Sequence, residues 1–185
     1  MVERLFTVCA AALAVVGASA SVAVAAPARP ANTVFFASTG PFVLYDTSTG
    51  IALACDTVDL AGSDSPTPPP LMITSATFSD SSVPVGCLAP GSVMTITNIS
   101  SWAFNVTSTV GGVAQGEFAG FDVHVHDSAG CSFDLEGSPA ASYDGAAMTL
   151  DISGSGLAAT NVSSSCDPTM VANGDPFLVD SSFQG

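Results

Sequence analysis

Apolar and polar side chains trade places one for one along much of this chain. In Phe121-Asp122-Val123-His124-Val125-His126 every second residue is apolar, and Trp102, Phe104 and Val106 repeat the pattern. A two-residue repeat is a strand that buries one face and wets the other. Runs rich in Val, Ile, Thr and Phe are separated by clusters of Gly, Pro, Ser and Asp, the usual punctuation of strands. They predict strands at 33–38, 42–47, 51–59, 71–79, 92–98, 101–109, 113–118, 120–127, 131–136, 139–143, 146–152, 157–164 and 176–183, with some neighbours merging. Asp144-Gly145, between two apolar runs, is the strongest hairpin signal. The best place for a turn of helix is Met170-Val171. The predicted fold class is all-β, an antiparallel β-sandwich or a flattened β-barrel with two disulfides.

The first residues read as an export signal rather than as fold. Arg4 precedes an apolar run from Leu5, and small residues follow at Ala23-Val24-Ala25 and Ala26-Pro27-Ala28. This is the layout of a secretory signal peptide over 1–25, cleaved after Ala25 or, alternatively, after Ala28. An uncleaved anchor is the competing reading. Residues 26–32 are expected to be disordered, and 33–185 to form a single β-domain of ordinary size. "GSDSPTPPPL", residues 62–71, is expected to be a stiff loop, because its prolines cannot join a ladder. No second apolar span follows, so the mature chain is expected to have no membrane span.

Charge removes whole classes of function. Lysine is absent, the two arginines are Arg4 and Arg29, and the net charge is −14. Phosphate backbones need Lys or Arg, so nucleic acid is excluded as a partner. Arginine clamps on anionic substrates are excluded too. Each carboxylate must instead be met by water, backbone N–H, hydroxyl, histidine or a bound cation.

Four cysteines follow the signal: Cys55, Cys87, Cys131 and Cys166. An even count in an exported chain reads as two disulfides, and four cysteines allow three connectivities. Sequential pairing, Cys55 with Cys87 and Cys131 with Cys166, is favoured because it joins strands close along the chain. C-x-x-C spacing is absent, so the cysteines read as structural.

The strand "GFDVHVHD" carries the most chemical promise. Its alternation sends Phe121, Val123 and Val125 to the core and sets Asp122, His124 and His126 together on the other face. Imidazoles two apart on a strand can share a metal ion, with Asp122 as a third ligand. The segment resembles the G-F-H-V-H run of copper–zinc superoxide dismutases, but Asp122 replaces the first histidine. That site also needs more imidazoles than the two in this chain. Dismutase chemistry is excluded, and the surviving alternatives are a loosely held surface divalent metal or a solvated polar face.

No nucleophile elbow, zinc-protease helix or phosphate loop is present. Glu117 and Glu136 are the only glutamates after Glu3. Asp56, Asp59 and Asp64 form an oxygen-rich stretch, read as a loop that could hold calcium, without the EF-hand spacing. Trp102 is read as core rather than as a sugar platform. Sequons at Asn98, Asn105 and Asn161 matter only in a host that uses them; the Ala-rich leader and lysine-free composition look bacterial.

"ITSATFSD", "MTITNISSWAFNVTS", "SAGCSFDLEGSPAASYDG" and the closing Asn173-Gly174-Asp175-Pro176 resemble small secreted proteins of actinobacteria. Gly130-Cys131-Ser132, Tyr143 and the late Cys166 fit the same pattern, and the likeness spans about 71–183. The resemblance implies an exported all-β domain of unassigned function, and it carries over no catalytic residue.

The expected function is a non-enzymatic binding or interaction module, secreted or a component of the cell envelope. One alternative is divalent-metal binding through Asp122, His124 and His126. The other is carriage of an apolar ligand inside the barrel, suggested by eleven phenylalanines.

Overall fold

The structure, a computed structural model, describes residues 31–66, 70–83 and 86–185. The expected signal segment and most of the expected disordered tail lie outside the described residues. The described residues form fourteen strands: β1 (Asn32–Ser38), β2 (Phe42–Asp46), β3 (Ala52–Cys55), β4 (Thr57–Asp64), β5 (Leu71–Ser79), β6 (Cys87–Ala89), β7 (Ser92–Asn98), β8 (Trp102–Val110), β9 (Val113–Ala119), β10 (Phe121–Asp127), β11 (Ser132–Gly137), β12 (Ala140–Asp144), β13 (Thr149–Thr160) and β14 (Pro176–Gln184). Every pairing is antiparallel, as the alternating pattern requires.

The strands close into one circuit, which is pinched because β13 also pairs along β14. Two eight-strand rings result. One runs β1-β14-β13-β12-β9-β8-β5-β4, and the other β14-β2-β3-β6-β7-β10-β11-β13. β13 serves both: Thr149–Ile152 pair with β12, and Leu157–Thr160 with β11. Its register shifts between Gly154 and Leu157, where the two sequence-predicted strands merge into one. Closure removes exposed edges, so all strands find partners on both sides.

The core follows the alternation. Phe121, Val123 and Val125 are buried while their polar neighbours are half-exposed. In the first ring Phe36, Tyr143, Phe104, Phe118 and Trp102 form a chain of edge and tilted ring contacts, and Trp102 stacks on Phe121 of the second at 4.4 Å. Trp102 is fully buried, which settles it as core. Each such side chain contributes about 1.5–3 kcal/mol by leaving water.

Both disulfides form with the sequential pairing, Cys55–Cys87 and Cys131–Cys166. They point to an oxidising, non-cytoplasmic environment. No helix among the described residues is long and apolar enough to cross a membrane.

The strand boundaries differ from expectation in instructive places. The run 51–59 divides into β3 and β4, and β4 continues to Asp64. Gly62, Ser63 and Asp64, read as loop, pair with β5 on one side and β1 on the other. Gly62 sits at a bulge where a side chain would strike Met72 O, so a turn-forming residue here serves strand contact. Asp59 and Asp64 therefore lie along a strand and not in a calcium-binding loop. β1 begins at Asn32, one residue inside the expected disordered tail. Asp144-Gly145 does mark a hairpin, but Asp144 pairs with Thr149 and the connection is 145–148. The Asp144 carboxylate accepts the N–H groups of Ala146 and Ala147, and Met148 rather than Gly145 takes the positive φ.

Candidate functional site

The polar face of β10 lies between β7 and β11. Its register with β11 sets His124 opposite Asp134 and Asp122 opposite Glu136. His124 Nδ1 meets Asp134 Oδ1 at 2.6 Å, and the other Asp134 oxygen accepts Asn161 Nδ2 at 2.8 Å. Burial pushes Asp134 up, but the hydrogen bonds from His124 and Asn161 outweigh it and hold the carboxyl below its usual range. Asp122 moves the other way. Burial raises it, and the charges of Glu136 and Asp134 raise it further against the opposing pull of His124. The imidazoles of His124 and His126 stack with centroids 5.5 Å apart.

Asp122, His124 and His126 thus share one face, but they do not gather around a point. Among the described residues no three His, Cys, Asp or Glu side chains are placed to hold a metal ion. His124 Nδ1 is occupied by Asp134, a residue that sequence reasoning had not singled out. The signal for it lay in the turn: Asp127 N bonds to Cys131 O across Ser128-Ala129-Gly130, which fixes 124 against 134. An aspartate-oriented imidazole is the arrangement of a general base. Among the described residues no hydroxyl is hydrogen-bonded to its second nitrogen.

Elsewhere the lack of lysine shapes the turns. Asp46 accepts N–H groups of Ser48 and Thr49, Asp80 that of Ser82, Asp127 those of Ala129 and Cys131, and Asp167 that of Thr169. Backbone amides do the work that cations do in other acidic proteins.

A second feature lies at one end of the second ring. The β2–β3, β6–β7 and β10–β11 turns and the long β13–β14 connection all emerge there. They enclose a cavity of about 220 Å³. Ile51, Leu53, Met94, Phe133, Val171 and Phe177 form its apolar wall, with Met170 and Ala89 beside them. Asp127, Asp167, Ser92 and Ser165 contribute the polar part of the lining. The β13–β14 connection contains one turn in which Met170 N and Val171 N both reach Asp167 O, where the sequence placed its best turn of helix. Thr49 Oγ1 donates to Met170 O, and Cys131–Cys166 ties the connection to the β10–β11 turn. This site draws on six separate chain segments, and no local motif announces it.

Comparison with protein-family models, with curated proteins and with solved structures returns no match.

Proposed function

We propose that the protein is an exported, non-enzymatic binding domain that holds a small apolar molecule in the cavity of its second ring. The observation that carries this reading is the cavity itself, walled by side chains that favour apolar contact and placed in the mouth of a barrel, where ligand sites recur. By comparison with a 150 Å³ engineered cavity that takes benzene, it has room for roughly nine non-hydrogen atoms. The leader-like start, the two disulfides and the likeness to small secreted actinobacterial proteins support placement outside the cell or in its envelope.

The test is calorimetric titration with indole, a neutral aromatic of about nine non-hydrogen atoms that matches the cavity. Saturable one-to-one binding is expected. It should be lost in Ala89→Leu and Val171→Phe, which fill the cavity from two different elements. No saturable binding, or equal binding by filled variants that keep the wild-type circular dichroism spectrum, would overturn the reading.

A further inference from the structure

The cavity has a charge character that its apolar wall conceals. Half-buried Asp127 and exposed Asp167 both line it, and the disulfide between Cys131 and Cys166, whose own Cα atoms are 4.3 Å apart, ties their two loops together. Each carboxylate has one oxygen committed to its own turn. Asp127 Oδ1 accepts Ala129 N at 2.8 Å and Cys131 N at 3.0 Å, and Asp167 Oδ1 accepts Thr169 N at 2.9 Å and Thr169 Oγ1 at 2.8 Å. In each case the second oxygen accepts no hydrogen bond from the described protein. The hydrogen bonds from Thr169 lower Asp167, so that group is ionised at neutral pH. Ser92 Oγ is also on the lining and is buried without a protein partner. A shallower surface hollow shares Ala89, Gly91, Ser92 and Asp127 with the cavity, so Asp127 stands where the two adjoin. No lysine exists in the chain to neutralise either acid.

Resting on the binding function proposed above, we infer that the ligand is a small cationic amphiphile: an apolar body of roughly nine non-hydrogen atoms ending in one protonated amine held at Asp127 and Asp167. The ammonium donates to the two uncommitted carboxylate oxygens while the alkyl or aryl body fills the apolar wall. Anionic amphiphiles such as fatty acids of the same length are rejected, because their carboxylate would face two like charges with no cation between.

A matched series of octylamine, 1-octanol and sodium octanoate tests this by direct calorimetric titration at pH 7. Octylamine is expected to bind about tenfold or more tightly than octanol at low salt, as a charge-assisted hydrogen bond gives, with octanoate weakest. The preference should shrink in 500 mM NaCl. Asp127→Asn with Asp167→Asn keeps the turn acceptors and should reduce the ratio below about threefold. Asp59→Asn with Asp180→Asn removes the same charge away from the cavity and should preserve the ratio. Octanol binding as tightly as octylamine, or the control pair erasing the preference equally, overturns the cationic ligand and leaves the apolar cavity standing. Binding by none of the three overturns both.

Discussion

Replacing Gly116 by alanine isolates one demand of barrel closure. Gly116 lies on β9 beside the bulge between Val106 and Ser108 of β8. Its φ is not positive, so alanine meets no left-handed backbone strain there. A Cβ at this point would stand 2.0 Å from Asn105 O, 2.9 Å from Asn105 C and 3.1 Å from Val106 Cα. Ordinary carbon contacts need about 3.5 Å, so β8 must retreat by more than about 1 Å. The obstacle is backbone, which cannot rotate away as a side chain could. Overpacking typically costs about 1–3 kcal/mol, and an immovable neighbour puts this case at about 3 kcal/mol. For a domain of this size that is a fall in melting temperature of roughly 6–12 °C. Gly40→Ala is the matched control, since nothing lies within 4 Å of its added carbon and its φ is not positive; a change within about 0.5 kcal/mol is expected. Thermal and urea melts followed by circular dichroism measure both. A Gly116→Ala protein that melts within about 2 °C of wild type would refute the steric account.

Other outcomes follow from the charges and cross-links. Replacing Cys131 and Cys166 together by alanine reopens a loop with a sequence separation of 35 and is expected to cost about 4 kcal/mol in the chain-entropy model, read from urea midpoints. With a net charge of −14, melting temperature should climb between 10 and 500 mM NaCl; a flat profile contradicts self-repulsion. Asp122 is raised in the folded state, so its ionisation opposes folding as pH rises through that value; Asp122→Asn should raise the melting temperature at pH 7, and the gain should vanish near pH 4. Asp80, Asp134 and Asp167 are lowered, so the stability they contribute is present above about pH 4 and is lost as pH falls through their folded values; Asp134→Asn should therefore flatten the acid limb of a stability–pH curve. Calorimetry with Zn²⁺ at pH 7 is expected to show no micromolar site at His124 and His126; one that disappears in the double alanine variant would restore the metal reading.

What the sequence disclosed was whatever the two-residue period controls. The inward set on β10, the burial of Trp102 and the cysteine pairing all follow from local pattern and chain proximity. β6 was missed because Cys87-Leu88-Ala89 is too short to show a period. The tail of β4 was missed because Gly62-Ser63-Asp64 has turn chemistry, and only the partners on both sides make it strand. Asp134 could have been found opposite His124 once the Asp127–Cys131 turn length was read as a register. The cavity could not, since Leu53, Met94, Phe133 and Phe177 each look like ordinary core residues in their own strands. Only the assembled barrel shows that they leave space between them.

β14 follows every other strand among the described residues, yet it is a member of both rings. Until it is in place neither loop of hydrogen bonds can be sealed, so the two rings depend on the same strand for their closure.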